Sequence, residues 1–289
     1  MEEMQDLLTK ATVAGVRIYA LRTTNLVGTV AEQHHCSHLA SAALGRAMNG
    51  ALLLAATMKD QERVSLRFKG DGPMGEIVAD AEGSFVRGYV QNPDVFLPIR
   101  EDGKLDVGGA VGEGHIIVTR FLQNSEPFTG YCELANGEIA ADITKYLYQS
   151  EQTPSSVALG VLVNPEGKVS ASGGYFIQAM PGCPEETLEQ LVNNISVTPN
   201  VSDLLDMGYT PEKLIEILCR GLEYDIKETV PVGFKCRCSR DRFLSALSTL
   251  DKGALEEIAQ DQVTEAHCDF CNTTYEFTQE EIKQLLAEK

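Results

Sequence analysis

Apolar and polar positions follow different patterns along the chain, and each pattern predicts a different element. Residues 16–32 are rich in Val, Ile, Thr and Tyr, which favours one or two β-strands. Between residues 37 and 59, apolar side chains recur at helical spacing with few polar residues among them. Because so apolar a helix is typical of a protein core, we predict a buried central helix there.

Short segments of alternating apolar and polar residues, separated by Gly-rich turns, follow the central helix. They predict the strands of an antiparallel sheet at residues 63–68, 76–81, 85–90 and 115–122. A helical pattern returns at residues 138–148. Two further strands are predicted at residues 156–163 and 169–178, with a turn at Asn164-Pro165-Glu166-Gly167.

The pattern becomes mainly helical beyond Pro184. Amphipathic spacing predicts helices at residues 185–195 and 211–218, the second capped by Thr210 and Pro211. Short helices of this kind are marginal in isolation, so we expect a connector whose stability depends on packing. The last part of the chain is predicted to hold helices that begin at Ser239, near residue 254 and at Gln279, the last with a capping box.

Together these patterns predict an α+β protein built from three units in series. Residues 1–182 are expected to form an N-terminal domain with antiparallel β-sheets and a buried helix. Residues 183–230 are expected to form a metastable helical linker. Residues 231–289 are expected to form a small C-terminal zinc-binding module, for the reasons given below.

The charge and the N-terminal sequence restrict the partners and the location that we expect. The net charge of -18 is spread along the chain, so nucleic acid and anionic lipid surfaces would be repelled. The most apolar stretch, residues 47–58, is interrupted by Asn49 and is shorter than the roughly 20 residues that a membrane span needs. The start Met1-Glu2-Glu3-Met4 lacks the features of a secretion signal, so a cytoplasmic protein is expected.

Four of the eight cysteines are arranged as two close pairs, Cys236 with Cys238 and Cys268 with Cys271. In a reducing compartment, clustered cysteines indicate metal ligation or redox chemistry rather than permanent disulfides. Two pairs about thirty residues apart supply the four thiolates of a tetrahedral zinc site. Structural zinc contributes about 10 to 16 kcal/mol to the folding of a small module, so its loss should unfold this one.

Two interpretations of this zinc site stay open at this point. The zinc could be purely structural, as in most small modules. Alternatively, the site could respond to oxidants, because nearby cations favour the thiolate that peroxide attacks. The cations of the second interpretation surround the first cysteine pair and are Lys235, Arg237, Arg240 and Arg242.

Two rival functions also fit the cysteines. Cys268 and Cys271 could serve a thiol-disulfide oxidoreductase, but the residues after Cys271 are strand-like, whereas such motifs normally begin a helix. A zinc-ribbon adaptor for nucleic acid or the transcription machinery is opposed by the acidic charge, although docking to a protein stays open. We favour a binding protein without enzymatic activity, which the family resemblance given below implies.

Other motifs carry less weight. The glycines of residues 70–75 fit a dinucleotide fingerprint, but a strand follows them, so we predict a hairpin turn and no nucleotide site. His115 has no nucleophile nearby in the sequence and is assigned no catalytic role. The isolated cysteines are expected to act as small hydrophobic residues, and they are Cys36, Cys132, Cys183 and Cys219.

Four longer motifs, together with the cysteine pairs, resemble those of the heat-shock protein 33 family, the redox-regulated holdase chaperones of bacteria. The motifs are Phe68-Lys69-Gly70-Asp71-Gly72-Pro73-Met74-Gly75, Val86-Arg87-Gly88-Tyr89, Ser150-Glu151-Gln152-Thr153-Pro154-Ser155 and Gly173-Gly174-Tyr175-Phe176-Ile177-Gln178. The resemblance covers nearly the whole chain. One departure is the group His34, His35, Cys36 and His38, which leaves a second metal site open.

The resemblance implies a specific mode of action. One zinc ion per chain would be held by Cys236, Cys238, Cys268 and Cys271 in an inactive, reduced protein. Oxidation with mild unfolding stress would release the zinc, form the disulfides Cys236-Cys238 and Cys268-Cys271, and activate the binding of unfolded proteins without ATP. The resemblance also implies a homodimer when oxidised and transfer of clients to an ATP-dependent chaperone system. Residues that bind clients do not carry over individually.

Overall fold

The computed structural model describes residues 4–59 and 61–289, which form two compact units. The first unit ends at Lys235, and the second comprises Cys236–Lys289. The first three residues of the N-terminal sequence discussed above lie outside the described residues. Among the described residues, no helix combines the length and the apolar character that crossing a membrane requires. The division at residues 182 and 230 stays a prediction.

Thirteen strands and ten helices are described. In chain order the strands are β1 Leu7–Val13, β2 Val16–Arg22, β3 Arg63–Gly70, β4 Glu76–Glu82, β5 Phe85–Val90, β6 Gly114–Phe121, β7 Phe128–Glu133, β8 Ser155–Val163, β9 Val169–Ala179, β10 Asp225–Pro231, β11 Gly233–Phe234, β12 Val263–Cys268 and β13 Thr273–Thr278. The helices are α1 Thr24–Gln33, α2 His38–Ala55, α3 Val107–Val111, α4 Ala140–Gln149, α5 Glu185–Val197, α6 Val201–Asp206, α7 Pro211–Leu218, α8 Arg240–Leu247, α9 Lys252–Ile258 and α10 Gln279–Ala287.

The first unit contains two sheets with the helix α2 packed between them. One sheet has the order β10-β1-β2-β9-β8 and is antiparallel throughout. The other has the order β11-β5-β4-β3-β6-β7 and is antiparallel except for the short pair of β11 with β5. In α2, 16 of 18 residues are buried, which confirms the predicted central helix. The α+β class is confirmed as well.

A second apolar core covers the opposite face of the first sheet. Side chains of β1, β2 and β9, including Ile18 and Ile177, pack there against Leu191 of α5, Leu205 of α6 and Leu214 of α7. The helices predicted at residues 185–195 and 211–218 are thus present, and their apolar faces lie on a sheet of the first unit. The packing on which the stability of this connector was expected to depend is therefore supplied within the first unit.

The sequence pattern failed most clearly at residues 16–32. The strand β2 ends at Arg22 and the helix α1 begins at Thr24, although this stretch was predicted to be strand throughout. The side chain of Thr23 does not cap α1. Instead, the carboxylate of Asp6 accepts hydrogen bonds from the backbone N–H groups of Leu26 at 2.6 Å and Asn25 at 3.3 Å. A cap from a distant residue stabilises a helix that the local sequence disfavours.

The glycines of residues 70–75 form a turn, as predicted. Gly75 has a φ of +69°, which favours glycine, and the strand β4 begins at the next residue. No helix follows whose N-terminus would receive a pyrophosphate. The interpretation of this motif as a hairpin is therefore confirmed.

The second unit consists of a two-stranded sheet and three helices. The strands β12 and β13 form an antiparallel hairpin, and α8, α9 and α10 complete the unit. The predicted helix start at Ser239 is confirmed, because its side chain accepts a hydrogen bond from the N–H of Arg242 at 3.2 Å. The predicted capping box of Thr278 and Glu281 at the start of α10 is also confirmed.

Candidate metal centre

The second cysteine pair lies on the turn of the β12–β13 hairpin. Cys268 is the last residue of β12, and its carbonyl oxygen accepts hydrogen bonds from the N–H groups of Cys271 at 3.3 Å and Asn272 at 2.8 Å. Asn272 has a φ of +53°, a left-handed conformation that asparagine tolerates. The turn brings both cysteine side chains to one end of the hairpin, and both are buried.

The first cysteine pair lies immediately before α8. Cys238 precedes the cap residue Ser239, and both cysteines are half-buried. Arg240, at the start of α8, donates to the carbonyl oxygen of Glu276 at 3.0 Å and to the carboxylate of Glu281 at 2.8 Å. These bonds fix the start of α8 against β13 and α10, and so place the first pair beside the hairpin turn.

The four sulfur atoms lie within 4.8 Å of one another. Cys236 Sγ is 3.7 Å from Cys268 Sγ, and Cys238 Sγ is 3.3 Å from Cys271 Sγ. Four sulfurs at about 2.3 Å from a tetrahedral ion would be about 3.8 Å apart. None of the eight cysteines, all of which lie among the described residues, forms a disulfide. The four clustered cysteines can therefore hold one metal ion, and their chemistry suits a thiophilic one.

The thiols of this cluster differ in acidity because the hydrogen bonds between them favour the ionised form of one thiol and the protonated form of its neighbours. Burial raises the pKa of Cys236, but hydrogen bonds from the N–H of Cys238 and from the neighbouring thiols outweigh it, and the pKa falls to about 7. Burial raises the pKa of Cys238, and it raises that of Cys268 to about 12. Four thiolates this close repel one another, so a bound cation is what allows all four to lose their protons.

Two hydroxyl groups also contact the sulfurs. The Tyr275 hydroxyl lies 3.2 Å from Cys238 Sγ, and the Thr273 hydroxyl lies 3.3 Å from Cys271 Sγ. The bond to Cys238 raises the pKa of Tyr275 to about 12, so the phenol keeps its proton. The sequence analysis missed both residues. Strand alternation after Cys271 was the available signal, since it places Tyr275 on the same face of β13 as the buried Phe277.

The cations around the first pair are arranged differently from our expectation. Arg240 pairs with Glu281, and its guanidinium carbon lies 4.7 Å from the ring centre of Phe277. In the first unit, the Lys235 ammonium lies 5.2 Å from the ring centre of Phe85. Hydrogen bonds therefore account for the lowered pKa of Cys236 better than these cations do.

The apolar core of the second unit is small. Only Leu255, Ala259, Phe277 and Ile282 are buried apolar residues of this core among the described residues. No residue of α8 is buried. For a unit of this length, so little buried apolar surface is a weak source of stability, and a metal crosslink would compensate for it.

The other candidate ligands do not form a comparable cluster. Among the residues that the structure describes, only the four cysteines bring three or more His, Cys, Asp or Glu ligand atoms within reach of one ion. The group His34, His35, Cys36 and His38 is thus not assembled as a metal site. His38 Nε2 instead lies 3.2 Å from the carbonyl oxygen of Pro165, and burial raises the pKa of Cys36 to about 12.

Comparison with known proteins places this site in a family. The model of the family described as Hsp33 protein matches residues 6–278. The chain is 44% identical to the 33 kDa chaperonin of Desulforamulus reducens over 288 residues, which covers 98% of each chain. It is 43% identical to that of Ruminiclostridium cellulolyticum over 290 residues, or 99% of each. The crystal structure of the Thermotoga maritima 33 kDa chaperonin superposes with a TM-score of 0.92 at 36% identity, covering 99% of each chain. The chain belongs to the Hsp33 family.

Proposed function

We propose that the protein is a redox-regulated, ATP-independent holdase chaperone of the cytoplasm. In the reduced state, Cys236, Cys238, Cys268 and Cys271 hold one zinc ion, and the protein is inactive. The observation that carries the proposal is the gathering of four cysteine sulfurs within 4.8 Å in a unit whose apolar core is small. Membership of a family whose relatives are named 33 kDa chaperonin supports the chaperone role.

The proposed switch is oxidation of the four sulfurs to the disulfides Cys236-Cys238 and Cys268-Cys271. Each pair of thiolates gives two electrons to one peroxide molecule, which takes up two protons from solvent and leaves as two water molecules. Zinc supplies a crosslink between the two halves of the unit, and oxidation removes its ligands. In the chain-entropy model, each disulfide closes so small a loop that it contributes only about 2 kcal/mol. This is far less than the roughly 10 to 16 kcal/mol of structural zinc.

The proposed active state binds unfolded polypeptides through apolar surface that the inactive state covers. The helices α5, α6 and α7 cover one face of the first sheet, and their packing buries Leu191, Leu205, Leu214 and Leu218. Unfolding of residues 183–230 would expose both the sheet face and the helix faces. The oxidised protein acts as a homodimer and passes its clients to an ATP-dependent chaperone system. Nucleic acid and membranes are not among the proposed partners.

An oxidoreductase remains the alternative, and the geometry of the second pair argues against it. A thiol-disulfide oxidoreductase uses the N-terminus of a helix to activate its first cysteine. Here the residues after Cys271 enter the strand β13. Reduction of insulin at the rate of a thioredoxin would favour this alternative over the chaperone.

Zinc content and suppression of client aggregation, followed together during peroxide treatment with warming, test the proposal. We expect the wild type to lose zinc and gain client protection at the same time. The Cys268→Ser variant should contain little zinc, and its activity should no longer depend on peroxide. Cys183→Ser, which changes an isolated and half-buried thiol of the first unit, serves as the control and should behave as the wild type. Client protection that oxidation leaves unchanged in the wild type would rule out the switch.

A further inference from the structure

Tyr275 is held in a fixed position beside one of the four cysteines. It lies in β13, where it pairs with Ala266 of β12. Its ring packs against that of Phe243 in α8, with 5.1 Å between the ring centres. Its hydroxyl lies 3.2 Å from Cys238 Sγ. The backbone pairing and the ring contact therefore direct a phenol hydroxyl at a single sulfur.

The chemistry of the pair makes Tyr275 the donor. A cysteine that ligates a metal does so as the thiolate. When Cys238 is a thiolate, its sulfur can only accept, so the phenol O–H donates to it. A hydrogen bond to an ionised group is stronger than a neutral one. It draws electron density away from the sulfur, which lowers the reactivity of that sulfur toward an electrophile.

We propose that Tyr275 is a positioning residue that restrains the oxidation of Cys238 and thereby sets the oxidant sensitivity of the first cysteine pair. This inference rests on the proposed function, since it assigns regulation to the same switch. Tyr275 forms no bond to the oxidant and acts only through the sulfur of Cys238. The second pair has a different neighbour, Thr273, whose hydroxyl lies near Cys271 Sγ.

The affected step is the attack of Cys238 sulfur on peroxide. The sulfur lone pair forms an S–O bond while the O–O bond breaks, which gives a sulfenic acid and, with one proton, a water molecule. Cys236 then attacks the sulfenic sulfur, forming the disulfide and releasing the second water. The two sulfurs together lose two electrons, and the peroxide gains them. The hydrogen bond from the Tyr275 hydroxyl makes the sulfur lone pair less nucleophilic and so slows the first step.

Tyr275→Phe tests the inference because it removes the hydroxyl and keeps the ring that packs against Phe243. Reduced, zinc-loaded protein is treated with hydrogen peroxide, and differential alkylation with mass spectrometry follows each cysteine pair separately. We expect disulfide formation in the first pair to be roughly tenfold faster than in the wild type, the change in rate that the loss of about 1.4 kcal/mol of stabilisation gives. In molecules that still hold zinc, the initial rate of disulfide formation in the second pair should not change. Tyr131→Phe, an exposed tyrosine of β7, is the matched control.

A purely structural role for Tyr275 would give a different result. Chelator-driven zinc loss without oxidant reports the integrity of the site, and it should be unchanged in Tyr275→Phe. Equal acceleration of the initial rates of both cysteine pairs, together with faster chelator-driven zinc loss in the absence of oxidant, would overturn the inference. The inference would also be overturned if the wild type is activated by oxidation and Cys238 is oxidised at the same rate in Tyr275→Phe as in the wild type. A wild type that binds no zinc would instead contradict the proposed function itself.

A second replacement protects the test against a variant that fails to fold. Substitution of Tyr275 by 3-fluorotyrosine keeps both the ring and the hydroxyl but makes the hydroxyl a stronger donor. Oxidation of the first pair should then be slower than in the wild type. Faster or unchanged oxidation with this replacement would also overturn the inference.

Discussion

Asn49 and Ser41 lie in the same buried helix, α2, but the hydrogen bonding of their side chains differs. Asn49 accepts a hydrogen bond from the Thr23 hydroxyl at 2.6 Å and donates to the Ser172 hydroxyl at 3.0 Å. All three residues are fully buried. The Ser41 hydroxyl is also buried, yet it has no hydrogen-bond partner among the described residues. The two polar groups therefore affect stability in opposite directions.

Substitution of each residue by alanine tests this difference. Asn49→Ala should lower the free energy of unfolding of the first unit by about 1 to 3 kcal/mol, because Thr23 and Ser172 lose a buried partner. Ser41→Ala should be neutral or slightly stabilising, because it removes a buried hydroxyl without a partner. Urea unfolding of the two variants beside the wild type measures both effects. Equal destabilisation by the two substitutions would contradict this account of the core.

At the residue scale, the cysteines could be predicted from the sequence, whereas their neighbours could not. Spacing alone indicated Cys236, Cys238, Cys268 and Cys271, because ligand pairs on short turns are a local feature. The contact of Tyr275 with Cys238 joins residues 37 positions apart. Strand alternation indicates on which face of β13 Tyr275 lies, but the contact itself depends on how the hairpin packs against α8, and that packing leaves no periodic signal in the sequence.

In addition to its apolar packing, the helix α7 is linked to the first sheet by the hydrogen bonds of one carboxylate. Glu212, in its first turn, accepts hydrogen bonds from the hydroxyls of Thr9 in β1 at 2.9 Å and Thr229 in β10 at 3.0 Å. Burial raises the pKa of Glu212, but hydrogen bonds from its own N–H and from nearby hydroxyls outweigh it, and the pKa lies below the ordinary value of 4.5. The folded protein thus binds fewer protons at this site than the unfolded chain does.

Glu212→Gln should therefore destabilise the docking of α7 by about 1 to 2 kcal/mol at neutral pH. Since the pKa is lowered on folding, the contribution of Glu212 is complete above pH 4.5 and is lost as the pH falls through the folded value. The difference between wild type and variant should disappear over the same range. Hydrogen exchange of residues 211–218 measures the effect.

Glu216→Gln is the matched control for this prediction. Glu216 lies in the same helix, and its carboxylate forms an ion pair with the exposed Lys213 at 2.8 Å. Exposed pairs of this kind contribute about 0 to 1 kcal/mol. A loss of protection in Glu216→Gln as large as that in Glu212→Gln would show that helix charge, rather than the attachment to the sheet, controls α7.

At the element scale, prediction succeeded where burial is local and failed where a distant group decides. The helix α2 and the strands β3 to β6 could be predicted from the spacing of their apolar residues. The helix is buried on nearly all sides and each strand on one face, all in the same core. The helix α1 was missed because Asp6, 20 residues from Leu26, supplies its cap. The strand β7 was also missed, since it has only one buried residue.

At the scale of the whole molecule, the two units differ in what stabilises them. The first unit has two extensive apolar cores, one around α2 and one beneath α5 to α7. The second has one small core. A switch that acts through metal ligands would affect the second unit directly, while the core around α2 has no such dependence. The central claim is that bound zinc keeps the second unit folded.

Hydrogen exchange of the reduced, zinc-loaded protein before and after chelation tests this claim most directly. We predict that removal of zinc abolishes the protection of residues 236–289, while the strands around α2 keep theirs. Retained protection of residues 236–289 after the metal has been removed would contradict the account.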